Sequence, residues 1–249
     1  LTEPSTFTQV HFAKCEPVVM DTRFNSSVTD IFRNEYLSPR SPYTTLQIPK
    51  QGIGEWCHPL HTVDINDAGL RSSVQNGILN TELGIPFRTP AEGHNVAFTS
   101  LWDNYPDSLE IPLKGKASRA YLLMAGSTNH MQCHIDNGVI RIYYKDGTRD
   151  VMFLRNPDNW PPIEHIFFED GLAFNRHTPA LYRLRLKTGE ISNNFGEELG
   201  FPGASRELDG GAAVLLEMPL NPGKKLSHLV LETLSNDAVI GLMSITLQR

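Results

Sequence analysis

The chain has no apolar run approaching the roughly 18 residues that a membrane-spanning helix requires. It has no basic surplus either. A net charge of -6 over 249 residues argues against a nucleic-acid partner, which favours a basic surface. There are only three cysteines, Cys15, Cys57 and Cys133, and no Cys-x-x-Cys pair. That excludes a four-cysteine zinc site, permits at most one disulfide, and leaves buried thiols as the expectation. No Gly-x-Ser-x-Gly elbow occurs, and Gly126-Ser127-Thr128 lacks the second glycine. Phosphate-binding loops and dinucleotide fingerprints are absent as well. Long amphipathic helical periods are also missing. Ser26–Phe32 can open one short helix with Ser27 or Thr29 as its N-cap, but Ser38-Pro39-Arg40-Ser41-Pro42 stops it.

What the chain does contain is short apolar runs between turn residues. Within 111–150 the pattern predicts three strands, Ala120–Met124, His130–Ile135 and Val139–Tyr144. Asp136-Asn137-Gly138 would turn between the last two, and Asp146-Gly147 would close the block. Further strands are predicted at Val63–Ile65, Val96–Thr99, Ser108–Ile111, Asp150–Leu154, Ala180–Leu186, Ala212–Met218, Leu226–Leu234 and Ala238–Leu247. Thr44–Ile48 is a further plausible strand. Ser235-Asn236-Asp237 reads as the hairpin turn between the last two of the main set. His228–Leu234 carries apolar residues on both faces, as expected for a strand buried on two sides. With 40% hydrophobic and 20% charged residues, the expectation is an all-β antiparallel sandwich or jelly roll with long loops and little helix. The long loops fall at Asn156–Pro162 and Asn193–Gly211. No linker-like stretch divides the chain, so one sandwich domain over 1–249 is expected, with 1–60 an irregular extension packed on it. The first residue is Leu rather than Met, which suggests a piece of a longer precursor whose export signal lay upstream.

Several segments together resemble a known family. They are TLQIPKQGIGEWCHP (45–59), DINDAGLR (64–71), GIPFRTP (84–90), SLWDNYPDSLEIPLKGKASRAYLLMAGSTN (100–129), IRIYYKDGT (140–148) and NPDNWPPIE (156–164). They are similar to a Bacteroidetes domain-of-unknown-function family found in large secreted polysaccharide-processing proteins. GIPF, IPLKGKASRAYLL and IYYKDGT also resemble a pattern in galactose-binding-like β-sandwiches attached to glycoside hydrolases. The 156–164 segment departs from a more tryptophan-rich form, with Pro161 where Trp would stand. The resemblance implies a β-sandwich, a carbohydrate setting, and a secreted, periplasmic or cell-surface location. It carries over no catalytic residue.

The candidate site residues come from the chemistry of sugars. A sugar offers flat C–H faces and many hydroxyls, so aromatic rings beside polar groups suit it. Trp56, Trp102, Tyr105 and Trp160 lie in polar or proline-rich surroundings and are the stacking candidates, with Glu55, Asp103 and Asn104 for the hydroxyls. A glycosidase needs two carboxylates roughly 5–9 Å apart. Glu55, Asp103, Asp107 and Glu164 are the loop carboxylates from which such a pair would come. Asp64, Asn66 and Asp67 form an oxygen-rich loop that would suit a structural calcium ion; no other cofactor is expected. His58 and His61 are spaced to chelate but lack a third ligand. His130 and His134 would sit about 13 Å apart on one strand face, too far for one ion, with Cys133 on the other face. Three roles follow from these residues. One is a carbohydrate-binding or accessory module beside a catalytic domain, the second a glycoside hydrolase or lyase, the third a structural spacer. The spacer reading predicts an exposed apolar patch facing its partner.

Overall fold

The structure is a computed structural model of the chain, and it describes residues 14–34, 36, 63–129, 132–166, 171, 174–195 and 207–249. It is an all-β antiparallel sandwich. No helix among the described residues is long and apolar enough to cross a membrane.

Three strands build the middle of the larger sheet: β7 (Arg119–Thr128), β12 (Ala212–Pro219) and β14 (Ala238–Gln248). Each is a near-continuous apolar run, and each is buried along almost its whole length. Such runs belong in strands covered on both faces. β14 and β12 flank β7, and β12 continues into β10 (Arg183–Arg185) and β11 (Ile191–Ser192). The far side of β14 is shared. β1 (Cys15–Pro17) pairs with its C-terminal end and β5 (Ala97–Ser100) with its N-terminal half.

The second sheet has the order β6 (Ser108–Pro112), β13 (Leu226–Thr233), β8 (Asp136–Tyr144), β9 (Arg149–Arg155). Its inner face carries Ile111, Leu229, Leu231, Ile140 and Ile142. These pack on Leu122, Met124, Val214, Leu216 and Ile245 of the large sheet. The opposite face of the large sheet carries Tyr121, Leu123, Leu215 and Met243. It is covered by Val28, Ile31 and Leu70, and by Leu79 and Phe87 of a small sheet formed by β2 (Val74–Gln75), β3 (Ile78–Asn80) and β4 (Pro86–Arg88). Among the described residues, the four-stranded sheet turns its other face away from the large sheet, and the small sheet turns Gln75 and Asn80 outward.

Several predicted turns and strands differ. Asp136, Asn137 and Gly138 lie inside β8, and β7 and β8 belong to different sheets. Asn137 uses its side chain on other segments: Nδ2 donates to Gln132 O and Ser235 Oγ, and Oδ1 accepts from the Asn156 N–H. Gly138 is required by close approach, since a Cβ there would stand 2.3 Å from Ile240 Cδ1. The true hairpin of this block is β8–β9, across Asp146-Gly147, with Gly147 at φ +84°. Ser235-Asn236-Asp237 carries the chain from the four-stranded sheet to the large one instead of closing a hairpin. β13 alternates between buried and half-buried residues, because Val230 sits on the outer face. No strand forms over the described residues of 130–135; His134 is a turn residue at φ +54°. The short helix near Ser27 is a 3-10 turn at Val28–Asp30, and Asn95 Oδ1 rather than a local hydroxyl caps it at the Val28 N–H. Thr44–Ile48, Glu55, Trp56, Cys57, His58, His61 and His130 lie outside the described residues.

Candidate functional site

Three of the four predicted stacking aromatics belong to the described residues, and all three are core. Trp160 is fully buried between the two main sheets. Its loop is pinned by Asn159 and Trp160 N–H groups donating to Arg155 O. Trp102 is 5% exposed, and its indole N–H donates to Asn236 O at 2.9 Å. Tyr105 is 6% exposed, and its ring packs on Phe98 with centroids 5.0 Å apart. The Tyr105 hydroxyl bonds Ser26 Oγ and the Asn34 amide. These rings fill the ends of the sandwich and offer no face to a sugar. Polar neighbours in the sequence marked them as loop residues, but loop residues anchor by burying a large ring as readily as they expose one. Asp103 and Asn104, between the two buried aromatics, are exposed at the tip of that turn.

Of the loop carboxylates, Asp103, Asp107 and Glu164 belong to the described residues. Asp107 is exposed and accepts from the Ser108 hydroxyl. Glu164 is buried, and its two carboxylate oxygens lie 2.9 and 3.0 Å from Ser127 Oγ, which donates to it. Desolvation pushes its pKa up to about 7, against weaker opposing effects from hydrogen bonds and from Arg183. The Arg183 guanidinium is buried nearby and donates to the carbonyls of Pro162, Ile163, His165 and Ala212. Burial lowers its pKa to about 9. Glu164 and Arg183 thus tie the 162–165 segment to the large sheet. The sequence dismissed Asp237 as a turn residue. It too is buried, and desolvation raises its pKa to about 6. A cleft of about 350 Å³, between the β1 end and the 112–114 segment, is lined by none of the predicted site residues.

The side chains of the oxygen-rich loop have protein partners. Asp64 pairs with Arg33 at 2.8 Å. Asn66 Oδ1 accepts the Ala68 N–H, and Asp67 accepts from Arg71 Nε and Asn95 Nδ2, both at 2.8 Å. These contacts set the start of the short helix Ala68–Ser72.

The surface that remains is the outer face of the four-stranded sheet. Strand register arranges this face in three cross-strand rows, Arg149–Tyr143–His228–Pro112, Val151–Arg141–Val230–Glu110 and Phe153–Val139–Glu232–Ser108, of which Val139 is fully buried. In the first row the Tyr143 and His228 rings stack at 4.7 Å and 13°, and the Arg149 guanidinium lies 5.7 Å from the Tyr143 centroid. Tyr143 is thereby occupied by neighbours across the strands. Arg141 and Glu232 form an ion pair between the second and third rows. The β9 end is apolar. Val151 and Phe153 are 42% and 43% exposed, and Ile135 and Leu234, at 48% and 38%, flank the start of β8. Of the five exposed large hydrophobic residues among those described, only Val19 lies elsewhere. β9 pairs only with β8, so its other edge is open among the described residues.

This patch was not predicted from the sequence. Alternation in Arg149–Arg155 gives two sets, Arg149, Val151, Phe153 and Arg155 against Asp150, Met152 and Leu154, and both contain hydrophobic residues. Which set meets the core is decided by pairing to β8. Among the described residues one metal-competent trio also forms, His134, Asp158 and His177.

Comparison of the chain with protein-family models, with curated proteins and with solved structures finds no match.

Proposed function

We propose that the chain is a non-catalytic accessory β-sandwich that docks an adjoining domain of the same polypeptide through the β9 end of its four-stranded sheet. One observation carries this reading: among the described residues, four of the five exposed large hydrophobic side chains lie on β9 or beside the start of β8, and the outer edge of β9 is unpaired. Isolated exposed apolar residues are ordinary, but a contiguous group beside an unpaired edge marks a contact surface. The rim suits a protein partner. Arg155 pairs with Asp136 at 2.6 Å and Arg141 with Glu232, leaving charged groups to order the approach around an apolar centre. The buried tryptophans and the sealed Glu164 support an accessory role over a catalytic one. The carbohydrate setting, a secreted polysaccharide-processing protein with a galactose-binding-like sandwich, rests on the sequence resemblance.

Direct glycan binding is the second reading, favoured by the half-exposed Phe153 ring with Arg155 beside it at 5.6 Å. One experiment separates the two. The chain and the adjoining domain are produced as separate polypeptides and mixed, and association is followed by calorimetry. The docking reading expects binding that is lost in Val151→Asp/Phe153→Asp, with an unchanged melting temperature. Glycan-array binding lost in Phe153→Ala, without domain association, overturns it in favour of the second reading. Concentration-dependent dimerisation lost in the same variant overturns it in favour of self-association.

A further inference from the structure

The geometry points to a divalent transition-metal site of the zinc class, formed by His134, Asp158 and His177 at the end of the four-stranded sheet. One ligand atom from each of the three lies within 4.8 Å of the others. His134 Nδ1 is 3.7 Å from Asp158 Oδ2, and His177 Nδ1 is 3.4 Å from Asp158 Oδ1. Two donors bound to one zinc ion at about 2.0–2.1 Å in a tetrahedron stand about 3.3 Å apart. The two histidine–carboxylate spacings are therefore within a few tenths of an ångström of a bound set, and the two imidazole donors lie within 4.8 Å of each other.

The three residues come from separate segments, and the fold holds each one. His134 sits at φ +54°, a conformation disfavoured outside glycine, and its N–H donates to Asn156 O at 2.7 Å. Asn156 is fully buried, and its N–H and Nδ2 donate to Asn137 Oδ1 and Cys133 Sγ. Asp158 stands two residues beyond it, in the loop that Trp160 anchors in the core. His177 joins from the 174–178 segment. Its N–H donates to Asp158 Oδ1 at 2.7 Å, and the Thr178 hydroxyl donates to Asp158 O. The imidazoles lie with centroids 4.7 Å apart, so both converge on one carboxylate. His134 Nε2 is buried and has no hydrogen-bond partner.

Donor chemistry selects the cation. Two imidazoles and one carboxylate suit zinc and its neighbours, whereas calcium and magnesium take oxygen ligands. Three protein ligands leave a fourth position, and the His177 side chain is 64% exposed, so that position opens to water. The Arg155 guanidinium lies near enough to feel the Asp158 charge, but Asp136 holds it at 2.6 Å. A bound ion would clip the 174–178 segment onto the 134 and 158 loops, beside the proposed docking edge. The site does not depend on that docking.

The test uses the whole chain, freed of metal by a chelator and titrated with zinc chloride by calorimetry, with cobalt(II) absorption as a second readout. The expected result is one equivalent bound with a dissociation constant below about 100 µM. His177→Ala and Asp158→Asn should each weaken binding about tenfold or more, and calcium should not compete. The melting temperature should rise with zinc in the native chain and not in His177→Ala, whose fold is checked by circular dichroism. His177 is exposed in a loop, so its loss should leave the metal-free melting temperature unchanged. Absence of one-to-one binding overturns the proposal. So does binding that His134→Gln and His177→Ala leave unchanged, since that places the ion on other histidines.

Discussion

Trp160 packs against Gly126 so closely that a Cβ on Gly126 would stand 2.7 Å from Cζ2 and 2.8 Å from Cη2 of the indole, and 2.1 Å from Val239 O. The ring fills the space that a glycine in the middle of a buried strand leaves open. The contact locks the 156–164 loop onto β7, and with it the placement of Asp158 and Glu164. Gly126→Ala should therefore destabilise the fold by about 2 kcal/mol or more, because backbone cannot retreat as a side chain would. Urea unfolding checks this, and a loss under about 0.5 kcal/mol would show that the indole moves aside.

Trp102→Ala should act on stability and not on ligand affinity. The ring is buried against Tyr36, with centroids 6.5 Å apart, and its N–H is bonded to Asn236 O. Truncation of such a ring costs about 3–5 kcal/mol. A variant as stable as the native chain but weakened in glycan binding would restore the role that the sequence first suggests for this residue.

Glu164 should make the protein less stable as the pH rises. Its folded pKa, about 7, lies above its ordinary value of 4.5, so the folded state holds the proton more tightly. The contribution is fully present below pH 4.5 and is lost as the pH climbs through about 7. Glu164→Gln keeps an acceptor for Ser127 and should flatten this part of the stability profile by an amount of order 2 kcal/mol. Asp237, raised to about 6 by burial, has the same sign and should leave a residual slope in the variant. An unchanged profile in Glu164→Gln would refute the assignment.

Arg183→Met should cost about 3–5 kcal/mol, since it removes the guanidinium donor to His165 O, Ala212 O and Pro162 O inside the core and leaves the buried Glu164 without the nearby cation. Thermal and urea unfolding at pH 7 measure the loss. Pairing it with Glu164→Gln should give less than the sum of the two single losses, because both side chains belong to one network.

On the outer face, a double-mutant cycle on Tyr143→Ala and His228→Ala should return a coupling of about 0.5–1 kcal/mol, the size expected for a cross-strand aromatic pair. The rings stack at 13° and stand on paired positions of β8 and β13. Zero coupling would mean that the two rings only share a face.

The strand content was legible because the runs at 120–124, 139–144, 212–218, 226–234 and 238–247 are apolar, β-branched and bounded by turn residues. An all-β chain follows from that pattern alone. What each turn connects was not legible. Asn137-Gly138 and Asn76-Gly77 look alike in sequence, yet only the second turns a hairpin, with φ values of +52° and +77°. Gly138 is a glycine because Ile240 presses on it from the facing sheet, a contact with no local signal.

The candidate site shows the same division. Strand and turn patterning by itself determined an all-β protein, and the chain has no apolar run long enough for a membrane-spanning helix. Tertiary structure decided which polar-loop aromatics are core and which apolar strand residues are surface. It also brought His134, Asp158 and His177 together from three loops. The physical reason is that strand alternation assigns side chains to two faces but does not name the face that will be covered. Only the packing of other layers on both faces of the large sheet settles that.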